Sequence, residues 1–441
     1  MANRDLTVGE PGRVIRSYCL PLFGSVFFQQ MYNLADSFVA GRFINENALA
    51  AVGNSYEITM IFLAFAVGCN TGCSVIVSRY FGAKDYKKVK TGITTSFIVT
   101  AIVCLLFMAG GLLFASPILR LIRTPADIFQ DSLAYLQIYI GGLFFVFFYN
   151  VANGVFSALG DSKTPFIFLA VSSTANIAMD ILFVAVFDWG VIGVALATFI
   201  CQGAACIPAL AVMAVKMRRL SKTKAPWFTS GVFKEFTSVA IPSVLQQGFV
   251  AAGNIIIQSV VNTYGAAVVA GYSAAVKMNN LVTSCFTTIG SGVTNYTSQN
   301  LGAGKPERIK AGFKGSVRFM WTIAISMCLL YFLFPAQLIR VFLNQPSQEA
   351  LQSGVDFLRI ASPFYIAAAF KITCDSFLCG AKRMGYVVFS IFLDLGLRAA
   401  IAIIFSALFQ TAFSVWFAWP IGWTIAAVVT YQLYRRKLGI D

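Results

Sequence analysis

Apolar runs of about 18 or more residues, the length that reads as a membrane span, recur from one end of this 441-residue chain to the other. A backbone inside a bilayer must satisfy its own hydrogen bonds, so such runs fold as helices or closed barrels. A barrel would read as alternating segments of about ten residues, and none is visible. Only 12% of the residues are charged and 58% are hydrophobic. Soluble domains have about 25% charged and about 45–50% apolar residues. The expected fold class is an all-α polytopic membrane protein.

Twelve transmembrane helices can be placed, at roughly 17–40, 50–78, 92–117, 134–159, 165–187, 190–215, 238–261, 267–299, 316–342, 357–380, 386–409 and 413–434, with ends uncertain by several residues. The net charge of +15 invites a nucleic-acid reading, but the basic residues sort by loop. The N-terminus, the 2–3, 4–5, 8–9 and 10–11 loops, the segment Lys216–Lys234 and the C-terminus hold most of the 33 Lys and Arg. The opposite loops hold Arg42, Arg120, Arg123, Arg340 and Arg359. The positive-inside rule then places both termini in the cytoplasm. The first apolar run carries Gln29, Gln30, Asn33 and Asp36, too polar and too long for a cleaved signal segment.

The chain also repeats itself. Ala50 answers Ala270, Ser78 answers Ser298, Gly82 answers Gly302, Arg120 answers Arg340 and Gly160 answers Gly380, every pair at the same separation along the chain. Pro21 answers Pro242, one residue out of step. Six helices per half means that both halves enter the membrane from the same side, a parallel repeat with a pseudo-two-fold axis along the membrane normal. The expected domains are an N-lobe at 1–215, a cytoplasmic linker at 216–237 and a C-lobe at 238–441, two six-helix lobes around a central cavity. That is a secondary-transporter architecture. No phosphate-binding loop is present, so the chain brings no ATPase of its own.

Charges within spans cost about 2.5–3.5 kcal/mol each at a helix centre, so each marks a site to be explained. Asn176 and Asp180 stand one turn apart on one helix face. Thr198 lies at similar depth in the next span, and Asp36 deep in the first. An amide, a hydroxyl and carboxylates form a hard-oxygen set for Na⁺, and the carboxylates could equally hold a proton. The chain has no His, so proton coupling would run through such acids. Glu57 and Lys277 share the constant separation of the repeat. They are opposite charges at equivalent positions and candidates for a gate. Lys371 with Asp375, and Asp394 with Arg398, are one helical turn apart and read as two structural pairs; Arg398 could instead pair with an acidic substrate or with a carboxylate in the first half. Gln30, Asn33, Asn150, Asn153, Gln246 and Gln247 are candidates to line a wet cavity, with helix-packing hydrogen bonds as the alternative. The ten cysteines lack metal-site spacing and are expected to pack.

Five stretches resemble the multidrug and toxic compound extrusion (MATE) transporters, in particular their bacterial DNA-damage-inducible-F-like branch. They are MYNLADSFVAG at 31–41, ALAAVG at 48–53, NGVFSALGDSKTPF at 153–166, NIAMDILF at 176–183 and QNLGAGK at 299–305. The resemblance covers essentially the whole chain. It implies antiport of Na⁺ or H⁺ against an organic, drug-like cation by rocking of two lobes in the bacterial inner membrane. It matches Asp36, Asn176, Asp180 and Thr198 to the family's N-lobe cation site. Span seven has Gln246 and Gln247 where some relatives have an acid, so the expected site is confined to the N-lobe. Beyond the coupling ion no cofactor is expected; the partners are the substrate, the cation and the bilayer, not nucleic acid, and the chain is expected to act as a monomer. The rival reading is a flippase for a lipid-linked or anionic substrate. An enzyme is not expected, since no catalytic constellation is visible.

Overall fold

The computed structural model describes residues 5–39, 46–220, 224–343 and 346–438, with side chains left undescribed at 27, 31–39, 46–50, 56 and 57. Among the described residues the chain is helical and contains no strand. Sixteen α-helices of the described residues run in order: α1 (Pro11–Val39), α2 (Glu46–Gly82), α3 (Tyr86–Leu121), α4 (Ala126–Gly141), α5 (Leu143–Ala158), α6 (Lys163–Ile181), α7 (Gly190–Leu220) and α8 (Ser230–Asn262). Then follow α9 (Ala266–Gly302), α10 (Glu307–Leu333), α11 (Pro335–Phe342), α12 (Gln348–Ala361), α13 (Tyr365–Gly380), α14 (Met384–Phe409), α15 (Ala412–Val415) and α16 (Ala418–Leu438).

These sixteen helices make the twelve expected spans, because four spans are built from two pieces each: α4 with α5, α10 with α11, α12 with α13, and α15 with α16. Most helices overrun the apolar stretches at their basic ends. Lys and Arg are good helix formers, so α7 runs to Leu220 and α8 starts at Ser230. The expected linker 216–237 is therefore helical at both ends. Among the described residues nine helices are long and apolar enough to cross a membrane, and α4 with α5, bent by 45°, make a tenth.

The repeat is visible in the backbone. The span made by α4 and α5 breaks at Gly142, and the one made by α12 and α13 breaks at Ser362, its equivalent in the second half. The turn after α2 places Lys84 at φ +57°, and the turn after α9 places Gly304 at φ +67°. At the start of α7, Gly190 has φ +55°; after α14, Gln410 has φ +52°. Both pairs keep the separation found in the sequence repeat. Left-handed backbone suits Gly and strains other residues, so one copy of each pair keeps the glycine and the other carries a side chain at some cost.

The helices pack into two compact units, one of Leu20–Val244 and one of Leu6–Cys19 with Leu245 onward. The division falls inside α1 and inside α8, next to Pro21 and Pro242. It differs from the lobe boundaries expected from sequence, and the packing gives the reason. Leu6 N–H donates to Gln299 Oε1 at 3.0 Å, Lys305 Nζ to the Thr7 carbonyl at 3.0 Å, and Arg308 Nη1 to the Gly9 carbonyl at 2.9 Å. The start of the chain is thus tied to the QNLGAGK loop of the second unit. Likewise Phe236 and Ala240 of α8 belong to the core of the first unit, with Cys73, Ile76, Val155 and Phe156. The second unit has an aromatic core, with Tyr272 stacked on Trp416 at 5.2 Å and Phe357 edge-on to Trp419 at 4.9 Å. All ten cysteines are free, and all but Cys328 are buried, the packing role expected of them.

Candidate functional site

In the first unit α6 and α7 form an antiparallel hairpin whose contacts set the depth of each polar residue. At one end the Asp161 carboxylate accepts from Thr164 N–H at 3.0 Å and from Thr164 Oγ1 at 2.6 Å, capping the start of α6. Lys216, near the end of α7, donates to the same carboxylate and lies 5.6 Å from the Phe156 ring. Lys216 is only 9% exposed, a structural cation rather than one of the linker charges the sequence suggested. Further along, Ser172 Oγ donates to the Cys201 carbonyl at 3.0 Å, and Met179 Sδ lies 3.5 Å from Cys201 Sγ. At the far end Phe183 lies against Gly193, so closely that a Cβ there would sit 3.2 Å away.

These contacts turn the Ser172–Met179–Phe183 side of α6 toward α7, and Asn176 and Asp180 lie along that stretch. Thr198 lies one turn before Cys201 on α7. Asn176 is 1% exposed, Asp180 fully buried and Thr198 7% exposed. A buried carboxylate is expensive to keep ionised unless a positive charge accompanies it. The helix changes character directly after Asp180: Leu182–Val186 form a π turn, closed by Phe187 N–H donating to the Leu182 carbonyl at 3.0 Å. Such one-residue insertions in helices are frequent at functional sites. No residue pattern in NIAMDILF announced it. Asp36 and Asn33 lie on α1 and Glu57 on α2, and their side chains lie outside the described residues.

The cavity candidates of the first unit are dispersed in character. Gln30 and Asn153 are half-buried. Asn150 Nδ2 donates to the Val146 carbonyl of its own helix at 2.9 Å, a local use of its amide. In the second unit Gln246 is half-buried and Gln247 exposed. Lys277 is exposed, with Nζ 5.9 Å from the Phe342 ring centroid.

The two charge pairs of the second unit join into one chain of four. Lys371 Nζ lies 3.0 Å from Asp375 Oδ2 and 3.7 Å from Asp394 Oδ2. Arg398 Nε lies 3.2 Å from Asp394 Oδ1, an ion pair angled too poorly for a hydrogen bond. All four residues are buried. The sequence showed each pair through its one-turn spacing. The Lys371–Asp394 link depends on α13 meeting α14, which no local spacing encodes.

With this geometry in view, three comparisons place the chain. The MatE family model matches residues 21–182 and 242–417, the greater part of both units. The chain is similar to the probable multidrug resistance protein YpnP of Bacillus subtilis, at 29% identity over 83% of this chain and 81% of that protein. It is similar to a FAD transporter of Shewanella oneidensis at 23% identity, over 78% of each. In fold it is similar to an outward-facing multidrug resistance MATE family transporter, with TM-score 0.94 at 21% identity, covering 100% of this chain and 99% of that one. That likeness carries the twelve-helix, two-lobe architecture. The chain belongs to the MatE family of membrane transporters.

Proposed function

We propose that this transporter exports organic, drug-like compounds, cations foremost, in exchange for Na⁺ or H⁺, by alternating access in the bacterial inner membrane with both termini cytoplasmic. The observation that carries the reading is the burial of Asn176 and Asp180 one turn apart on α6 and of Thr198 on α7, the next helix of the hairpin. Na⁺ takes oxygen donors, and an amide, a hydroxyl and a carboxylate supply them. Asp36 of α1 is the fourth member of the proposed set. A proton would use the two carboxylates instead. Exchange of one such ion for an organic monocation moves no net charge and runs on the ion's concentration gradient; the membrane potential, about 2.3 kcal/mol per charge per 100 mV, adds to it when the substrate is neutral. The substrate then shares the cycle in the opposite sense. The resemblance to a named multidrug resistance protein supports the compound class.

The test is release of a fluorescent organic cation from proteoliposomes under an imposed Na⁺ gradient at constant pH, and separately under a pH gradient without Na⁺. One of the two gradients is expected to drive release. Asp36→Asn and Asp180→Asn are each expected to abolish coupled release while the protein stays folded. Full release by both variants would remove the site assignment. No release under either gradient would move the reading to anionic substrates, the class to which FAD, named for one relative, belongs.

A further inference from the structure

The four buried charges of the second unit are arranged around one atom. Lys371 Nζ stands between the carboxylates of Asp375 on α13 and Asp394 on α14, 3.0 and 3.7 Å away. Arg398 is held off on the far side of Asp394. Its stem fills the space beside Gly422 of α16, where a Cβ would come within 2.4 Å of Arg398 Cγ. The Ser390 hydroxyl lies close enough to the Asp375 carboxyl to interact with it, and it shares a 2.7 Å hydrogen bond with Thr430 Oγ1. Asp375 Oδ1 has no hydrogen-bond partner among the described residues. Without the ammonium, this would be a buried set of hard oxygens drawn from two carboxylates and neighbouring hydroxyls. That donor chemistry suits a small monovalent cation.

The first unit offers a contrast in sequence. The α6–α7 hairpin has no Lys or Arg between Lys163 and Lys216, whereas the α13–α14 hairpin supplies a base one turn from each acid. An ammonium is a compact point charge with three donors on a flexible stem. Covalent attachment keeps it at high local concentration whatever the bulk ion concentration. We infer that Lys371 is a tethered cation, filling the place of a mobile monovalent cation in the second unit, so that this unit contributes no mobile ion to the transport cycle. The consequence is one coupling cation per cycle. That consequence rests on the cation site proposed for α6 and α7; the assignment of Lys371 does not.

The experiment measures binding of radiolabelled sodium, and the sodium dependence of Tm, on the full chain in nanodiscs. The variants are Asp180→Asn, Lys371→Met in the Asp180→Asn background, and that double variant with Asp375→Asn added. Asp180→Asn alone is expected to bind no sodium. Adding Lys371→Met is expected to create sodium binding and a sodium-dependent rise in Tm, and adding Asp375→Asn to abolish both. A folded Lys371→Met variant that gains neither would overturn the inference. So would sodium bound by Asp180→Asn that Asp375→Asn then removes. If Lys371→Met folds only when prepared in sodium rather than choline, the inference stands. If it folds in neither, Asp180→Asn decides: a second bound ion sensitive to Asp375→Asn overturns the inference, and its absence upholds it. Wild-type protein that binds no sodium or proton at all would sink the first-unit site while leaving the Lys371→Met gain as a separate result.

Discussion

Asp161 is buried, which by itself would push its carboxyl up. The hydrogen bond from Lys216 and those from the Thr164 hydroxyl and amide outweigh burial and hold it below the usual carboxylate range. A depressed folded-state value means that the unfolded chain takes up its proton first as pH falls. The stabilisation is therefore complete above the ordinary Asp value of about 3.9 and is lost as pH drops from there through the folded value. Asp161→Asn is expected to lower Tm at neutral pH and to flatten the decline of Tm below about pH 4; thermal melts of both proteins across that range check it. Parallel curves for the two proteins would show that Asp161 is not held ionised by its neighbours. Lys216 was legible only as a base near the end of a span. Its partner lies far back in the sequence, brought near by the hairpin, and no local pattern links the two.

The helix ends carry their own expectations. Gln410 terminates α14 in the left-handed conformation, where its repeat counterpart is Gly190. Gln410→Gly removes the side-chain strain and is expected to raise stability by up to about 1 kcal/mol, read as a higher unfolding temperature of purified protein. An unchanged or lower value would mean that the side chain gains more from its surroundings than it loses in backbone strain. Helix packing in a bilayer depends on small residues where backbones approach. Gly271 of α9 meets α12 so closely that a Cβ would come within 2.0 Å of the Ala350 carbonyl oxygen. Because that neighbour is backbone, the two helices must move apart. Gly271→Ala is expected to cost about 1–3 kcal/mol, seen as early unfolding. A melt matching wild type would show that α9 and α12 separate at no cost. At this scale the sequence showed where the helices lie but not their breaks. Gly142 and Ser362 are ordinary span residues until the repeat pairs them, and no local pattern marks the π turn after Asp180.

The whole molecule was the most legible level. Twelve spans, an all-helical fold and two similar halves follow from apolar length and a constant offset, because the bilayer permits few alternatives. The unit boundaries were less legible. The charge-rich segment 216–237 resembles a linker, yet its Phe236 is a core residue of the first unit, as is Ala240 of the expected C-lobe, and Leu6–Cys19 packs with the second unit. Contacts, not composition, decide where a compact unit ends. Of the candidate site, the spacing of Asn176 and Asp180 predicted one face of one helix, and both are buried there. The joining of Lys371 to Asp394 was invisible because it is tertiary. In the proposed cycle Asp180 couples cation entry to substrate exit. The most direct measurement is cation flux into proteoliposomes triggered by adding the organic substrate on the opposite side, in wild type and Asp180→Asn. Substrate-triggered cation entry is expected in wild type and none in Asp180→Asn, with substrate binding retained. Equal cation entry in both proteins would contradict this coupling.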